Sequence, residues 1–398
     1  MSDVNKNIKK YRAQTQRVRG GYDRTMYGET SEPIFMNSGY VFDTAEEARD
    51  KFAGIQDGYL YSRYGNPTVS IFEDRMAINE NAEACFATSS GMSAIFGSLM
   101  CFLNSGDEVV SSRSLFGSCY HIFDHILPRF DIKTRLIDGI SLEEWEKNIS
   151  DSTKCVFIET PSNPTMEIVD IKAVSKIAHE HNAIVIVDNI FASPVLQKPL
   201  DFDADVVVYS GTKHIDGQGR SIGGAILSNQ QFYDDYVNPF MRHTGPTLSP
   251  FNAWILLKGL ETLEYRMKQH CSNAEKIANF LNSHPKIDTV IYPYLSEHPQ
   301  FELAKKQMTS GGSIISFIPK TKDPFTFMNS LKLFDISNNL GDTKSLVTHP
   351  ATTTHRIIGE EGRKMLNISD NLIRLSIGLE DVDDLIDDIN QALQAINS

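Results

Sequence analysis

The sequence predicts an α/β protein, with a mostly parallel sheet in its larger part and a smaller α+β domain at its C-terminal end. Three observations lead there. Short apolar runs recur at 84–87, 108–111, 155–158, 183–187 and 205–209. Runs of this length, rich in Val and Ile and bounded by turn formers, are the mark of buried parallel strands. The stretches between them have helical spacing: in 170–181, Ile171, Val174, Ile177 and Ala178 fall on one face. Strand and helix patterns in alternation give an α/β layer. After residue 255 the pattern changes to a long helical stretch over 252–283, apparent strands at 313–318 and 372–377, and an acidic helix over 381–396.

In chain order, residues 1–62 hold many turn formers, such as Arg19-Gly20-Gly21 and Asp57-Gly58, and no sustained periodicity, so they read as an extended N-terminal arm. Seven Lys/Arg against two Asp in residues 1–24 fit a solvated arm better than a transit peptide. Residues 63–255 form the α/β domain and 256–398 the C-terminal domain.

The composition removes several function classes. With 398 residues, 25 Gly and 16 Pro, the chain is neither collagen-like nor low-complexity. Lys+Arg of 38 against Asp+Glu of 51 leaves −13, which speaks against nucleic acid as a partner, because that binding rests on neutralising phosphates. The apolar run 183–187 is far short of the ~20 residues a membrane helix needs, and no apolar leader opens the chain. Five cysteines, an odd number with no C-x-x-C, disfavour both a disulfide framework and a thiolate metal site, and a cytoplasmic location is expected. His121 and His125 are spaced for one helix face but no third ligand is evident, so no metal is expected.

The chemically suggestive residues sit just after the apolar runs. Ser89-Ser90-Gly91-Met92 follows the first, Pro161-Ser162-Asn163-Pro164 the third, Asp188-Asn189 the fourth, and Ser210-Gly211-Thr212-Lys213-His214 the fifth. Ligands bind outside the carboxyl ends of the strands in open α/β sheets, so these loops converge on one site. Backbone N–H groups at Gly91 and Met92 would open a helix and attract an anion, and the hydroxyls of Ser210 and Thr212 can donate to the same group. Asp188 closes a very apolar strand and would need a cation or a helix N-terminus to cap. Lys213 could bind phosphate or form a Schiff base. A phosphate, a protonated ring nitrogen and a Schiff-base lysine together describe pyridoxal 5′-phosphate. P-loop, dinucleotide-binding and G-x-S-x-G signatures are absent.

Motifs along most of the chain resemble the Cys/Met-metabolism family of pyridoxal-phosphate enzymes. They are Tyr61-Ser62-Arg63-Tyr64-Gly65-Asn66-Pro67, Ser90-Gly91-Met92-Ser93, Glu159-Thr160-Pro161-Ser162-Asn163-Pro164, Val187-Asp188-Asn189, Ser210-Gly211-Thr212-Lys213-His214, Lys258-Gly259-Leu260-Glu261-Thr262-Leu263 and Arg374-Leu375-Ser376-Ile377-Gly378. The resemblance implies an aspartate-aminotransferase-like fold, fold type I, with pyridoxal 5′-phosphate as cofactor. It implies Lys213 as Schiff-base lysine and proton shuttle and Asp188 as partner of the pyridine nitrogen. Gly91, Met92, Ser210 and Thr212 would form the phosphate cradle, and Asn163 would bond the cofactor hydroxyl. Arg374, helped by Ser345, would clamp the substrate carboxylate. Tyr61 and Arg63 would reach the cofactor phosphate of a neighbouring subunit, which implies a homo-oligomer, a tetramer built as a dimer of dimers.

Two departures point to a subtype. Phe116 stands where many relatives carry a tyrosine, so it can stack on the cofactor but cannot donate a proton. Asn338–Leu346, with Lys344 where the cystathionine-handling branch has a glutamate, resembles the sulfhydrylase branch. The small-molecule substrates implied are an O-acylhomoserine, the succinyl ester ahead of the acetyl, and sulfide, with homocysteine as product. Methionine γ-lyase, cystathionine γ-lyase and an inert binding or assembly relative are the alternatives. Arg242 is a candidate to meet the distal succinyl carboxylate, and His349 and His355 are candidates to line the pocket.

Overall fold

The structure, a computed structural model, describes residues 7–396. Seven strands form the larger sheet: β1 (Ala84–Thr88), β2 (Glu108–Ser112), β3 (Lys133–Ile137), β4 (Thr153–Glu159), β5 (Ile184–Asp188), β6 (Val206–Ser210) and β7 (Gly224–Ser228). Their order is β1-β7-β6-β5-β4-β2-β3. Every pairing is parallel except those of β7, which runs antiparallel between β1 and β6. The five apolar runs are β1, β2, β4, β5 and β6. The sequence reading missed two strands. β3 is the sheet edge and alternates exposed with buried residues, Lys133 and Arg135 pointing outward, so it carries no apolar run. β7 returns directly from the lysine-bearing loop with no helix to announce it.

The main helices are α1 (Pro67–Glu80), α2 (Gly91–Met100), α3 (Ile171–Glu180), α4 (Pro250–Ser283) and α5 (Val382–Ala395), the last packing on the second sheet. Their starts are set by local chemistry. Asn66 caps α1 by accepting from the Thr68 N–H at 3.0 Å, with Pro67 at the first helical position. Ser90 caps α2 through the Ser93 N–H at 3.1 Å, and Asp170 caps α3 through the Ala173 N–H at 3.0 Å.

The second sheet has five strands, β8 (Ile287–Ile291), β9 (Ile314–Pro319), β10 (Asp335–Ile336), β11 (Leu346–Thr348) and β12 (Ile373–Ser376), in the order β10-β11-β12-β9-β8. α4 joins the two halves. Its first turns, through Leu256, Leu260, Leu263 and Met267, pack into the core of the large sheet. Its last turns, through Ala274, Ile277, Ala278 and Leu281, pack on the small sheet beneath α5. The expected boundary at 255/256 therefore falls inside a continuous helix, and the change of core comes four turns later.

The arm is not extended throughout, since helices form at Ala13–Arg19 and Ala45–Phe52. The first docks on its own chain: Arg17 is buried against Glu264, and the Gln14 amide donates to the Glu261 carbonyl at 2.9 Å. Farther along, Met26, Tyr27, Val41 and Ile55 stand exposed. Residues 1–6 of the expected arm and 397–398 of the expected C-terminal domain lie outside the described residues. Among the described residues no helix is long and apolar enough to cross a membrane.

Candidate active site

A cavity of about 620 Å³ opens at the carboxyl ends of β1, β4, β5 and β6 and is closed on its far side by the small domain. The expected strand-end residues meet there. Gly91, Met92, Ser210, Thr212 and Lys213 line one part, Asp188, Asn163 and Phe116 another, and Arg374 enters from β12.

The anion-binding part is tightly built. Gly91 opens α2 directly against Ser210: a Cβ on Gly91 would lie 2.6 Å from the Ser210 Cβ, so only glycine allows β6 and the helix N-terminus to come this close. The Gly223 N–H donates to Thr212 Oγ1 at 3.2 Å and holds that hydroxyl beside the helix end.

Lys213 is mostly buried. Its Nζ donates to Asn339 Oδ1 at 2.5 Å, a contact from the small domain. Burial, reinforced by the Arg374 guanidinium, pushes the ammonium down to about 8. Its neighbour His214 is buried behind the cavity, 2.7 Å from Ser313 Oγ through Nε2, and burial holds it at about 3, so it stays neutral.

Asp188 and Glu159 end adjacent parallel strands directly opposite one another. Both are buried, and burial raises the pKa of each, with the Asp188 charge adding to the rise in Glu159. Glu159 accepts from the Phe116 N–H at 2.7 Å and the Asn163 N–H at 2.9 Å. Asp188 accepts from the Ile190 N–H at 3.1 Å, and no cation pairs with it among the described residues. The sequence reading passed over Glu159, although it closes an apolar run one strand from Asp188. Acidic oxygens of Asp188 and Glu159 and the Cys119 sulfur lie within 4.8 Å of one another. The thiol is pushed well up by burial and is held neutral, which makes it a poor cation ligand.

Arg374 is 1% exposed. Its Nη1 donates to Asn163 Oδ1, and its Nη2 to the carbonyls of Asn338 and Asn339, all at 3.0 Å. Among the described residues Nε has no partner, and no carboxylate neutralises the group. Burial lowers it to about 10.

Six expected residues lie outside the cavity wall. Ser345 is fully buried and its hydroxyl is committed elsewhere: it donates to Glu380 Oε2 at 2.9 Å and accepts from the Gly378 N–H at 2.8 Å. The expected assistance to Arg374 is corrected on that ground. Tyr61 and Arg63 stand at the arm's end. Arg63 donates to the Arg242 carbonyl and to the Tyr64 hydroxyl, and its guanidinium lies 4.6 Å from the Tyr64 ring centre. Arg242 also stacks on that ring, 3.9 Å from its centre, and does not line the cavity. His349 is engaged by Thr352 and the Asp370 carbonyl and His355 by Thr354 through Nδ1, and neither lines the cavity. Lys344 points outward, 3.7 Å from Asp342. Asn339 and Arg220 do line it, and neither was singled out from sequence. Both sit in loops whose neighbours are set by tertiary packing.

The residues present fit pyridoxal phosphate. A buried carboxylate lacks a cation, a glycine-walled helix N-terminus carries two hydroxyls, and a lysine of lowered pKa stands between them. Gly91, Met92, Ser210 and Thr212 could hold the phosphate, Asp188 the ring nitrogen and Lys213 the aldehyde carbon.

Comparison with known proteins agrees. Residues 14–394 match the model of the Cys/Met metabolism PLP-dependent enzymes. The chain is 53% identical over 382 residues to an O-succinylhomoserine sulfhydrylase of Mycobacterium tuberculosis, covering 94% of each chain. It is 43% identical to an L-methionine gamma-lyase of Fusobacterium nucleatum, covering 98% of this chain and 99% of that one. A crystal structure from Campylobacter jejuni, described as an O-acetylhomoserine (thiol)-lyase carrying pyridoxyl-lysine monophosphate, superimposes with a TM-score of 0.92 at 35% identity, covering 96% of this chain and 100% of that one. The chain uses pyridoxal 5′-phosphate and belongs to the Cys/Met-metabolism family of PLP-dependent enzymes.

Proposed function

We propose that the protein is an O-succinylhomoserine sulfhydrylase, joining O-succinylhomoserine and hydrogen sulfide to give homocysteine and succinate. The observation that carries this reading is the stronger likeness, at 53% identity, to the sulfhydrylase than to the γ-lyase. Phe116 supports it, because succinate leaves as a stable carboxylate and needs little help from a general acid.

Bound through Lys213, the cofactor supplies the electron sink that makes the substrate's α-hydrogen acidic. The chain's own groups do the rest. Arg374 grips the substrate α-carboxylate through the donors that Asn163 and the two backbone carbonyls leave free. Lysine would be a poor replacement, because its three donors cannot hold Asn163 and both backbone carbonyls and also reach the substrate. Lys213 Nζ, held by Asn339 and lowered to about 8, is partly neutral near neutral pH. Released when the substrate's amine takes its place on the cofactor, it would take the α-proton, then the β-proton as succinate leaves the γ-carbon, and return both after sulfide has added there. Asp188 stays ionised against the protonated ring nitrogen and keeps the sink effective. Phe116 would supply a wall for the ring, and its N–H bond to Glu159 fixes where that wall stands.

We also infer a homo-oligomer, a dimer of dimers. Tyr61 and Arg63 face away from their own cavity, and the arm around them leaves Met26, Tyr27 and Val41 uncovered, as a segment that seats on a second copy would. Five free cysteines suit a reducing cytoplasm. The arm (1–62), cofactor domain (63–255) and C-terminal domain (256–398) are proposed as the functional units.

The test is product formation. Holoenzyme given O-succinylhomoserine and sulfide should release homocysteine and succinate in equal amounts. Efficient release of methanethiol from methionine, with no homocysteine from the ester, would assign the protein to γ-elimination instead.

A further inference from the structure

The cavity wall carries a second arginine, built differently from Arg374. Arg220 follows the lysine-bearing loop, in Asp216-Gly217-Gln218-Gly219-Arg220, and lines the cavity together with Gly219 and Ser221. Its side chain is 38% exposed. Asp216, which is wholly buried, fixes one edge of the guanidinium: Nε donates to Asp216 Oδ1 at 2.9 Å and Nη2 to the Asp216 carbonyl at 3.1 Å. The other oxygen of Asp216 accepts the backbone N–H groups of Arg220 at 2.6 Å and Ser221 at 3.2 Å. Nη1 is left without a partner among the described residues.

The loop that presents this arginine is rigid. Gly217 and Gly219 hold φ of +65° and +66°, in the left-handed region that favours glycine. The Gly217 N–H donates to the Lys213 carbonyl at 2.8 Å, and the Gly217 carbonyl accepts from the Thr343 N–H at 2.9 Å. A Cβ on Gly217 would strike the Arg266 guanidinium.

The charge balance also favours an anion. Asp216 faces two guanidiniums, because Arg266 lies in its field and otherwise bonds only the His214, Ile215 and Gly259 carbonyls and the Thr262 hydroxyl. Asp342, which lies against Gly219, is offset by Lys344 at 3.7 Å. One carboxylate against two fixed cations leaves the Arg220 edge positive where it meets the cavity.

We propose that Arg220, aimed by Asp216, binds a second carboxylate on the substrate, the distal one of the succinyl ester, and so selects O-succinylhomoserine over O-acetylhomoserine. This inference rests on the sulfhydrylase reading above. A substrate with two carboxylates calls for two guanidiniums on the cavity wall, and Arg374 supplies the first. An acetyl ester has nothing for the second to hold. Arg242, the earlier candidate for this role, is stacked on Tyr64 outside the cavity wall.

The test titrates wild-type holoenzyme and Arg220→Ala with each ester, following the cofactor's visible band for Kd and sulfide-dependent turnover for kcat and KM. The expected result is a loss on the order of 10- to 100-fold in affinity for the succinyl ester relative to the acetyl ester, read in Kd and KM more than in kcat. Arg220→Lys should not restore it, because an ammonium cannot keep both contacts to Asp216 and still present a donor to the cavity. If Arg220→Ala folds poorly, Arg220→Gln serves, with an unchanged cofactor band as the sign of an intact pocket. An equal change for both esters would overturn the assignment. A wild type that binds the succinyl ester in an Arg220-dependent way yet fails to transfer sulfide would overturn the sulfhydrylase reading and leave Arg220 in place.

Discussion

The deep end of the cavity and its rim handle charge in opposite ways. At the deep end, among the described residues, Arg374 is wholly buried with no carboxylate beside it, and Asp188 is buried with no cation beside it. Each is costly as it stands and is satisfied only by a ligand bearing the opposite charge. At the rim, Arg220 is part-exposed and already held by Asp216. In the proposed function the deep end takes the cofactor and an amino-acid carboxylate, and so supplies binding energy common to every substrate of this kind. The rim adds a smaller increment that depends on what the substrate carries at its far end.

That contrast can be broken or sharpened by mutation. The largest effect is expected at Lys213. Lys213→Ala should remove the visible band of the lysine-bound cofactor and lower turnover by at least about 10²- to 10⁴-fold, the range for losing a positioned acid–base. Arg374→Lys comes next, with kcat/KM falling on the order of 10- to 100-fold for both esters alike, because the α-carboxylate is common to them. An effect confined to one ester would exchange the roles assigned to the two arginines.

A third prediction concerns pH and the cofactor-free protein. Burial raises the folded-state pKa of Asp188 above its unfolded value near 4, so the proton is bound more tightly in the folded state. The sign follows: this contribution is present below pH ~4 and is lost as the pH rises toward about 7. Cofactor-free wild type should thus lose melting temperature relative to Asp188→Asn over that window. With cofactor bound, the carboxylate has its cation and the loss should shrink. Parallel curves for the two cofactor-free proteins would contradict the buried, unpaired state of Asp188. The smallest effect is expected at Lys344, which is exposed and only loosely paired with Asp342; Lys344→Ala should change stability by no more than about 0.5 kcal/mol.

Much of the deep end was legible in the sequence, for a physical reason. Asp188, Ser210, Asn163 and Gly91 each follow an apolar strand, and a parallel sheet delivers its strand ends to one edge, so position along the chain becomes position in space. Glu159 obeys the same rule and was missed only because it was read as part of a motif. Residues outside that rule were harder to place. Arg374 was identified by resemblance, but its hold by Asn163 and the 338–339 carbonyls depends on how β12 docks beside the large sheet. Asn339 and Arg220 sit in loops whose direction is set by Gly217, Gly219 and the Thr343 contact, and no periodicity marks them. Ser345 shows the converse error: the motif put it near the site, while Glu380 and Gly378 turn its hydroxyl the other way. In the fold, β7 and β3 were invisible to a search for apolar runs separated by helices, one being an antiparallel insertion and the other a polar edge.

The most direct measurement is a competition. Wild-type holoenzyme is given equal amounts of O-succinylhomoserine and O-acetylhomoserine with sulfide in one vessel, and succinate and acetate are counted as homocysteine accumulates. Their initial ratio reads the ratio of the two kcat/KM values. Two guanidiniums on the wall of one cavity, one buried and one part-exposed, predict succinate in large excess, matched by homocysteine. Equal release of the two acids, or release of either without homocysteine, would contradict it.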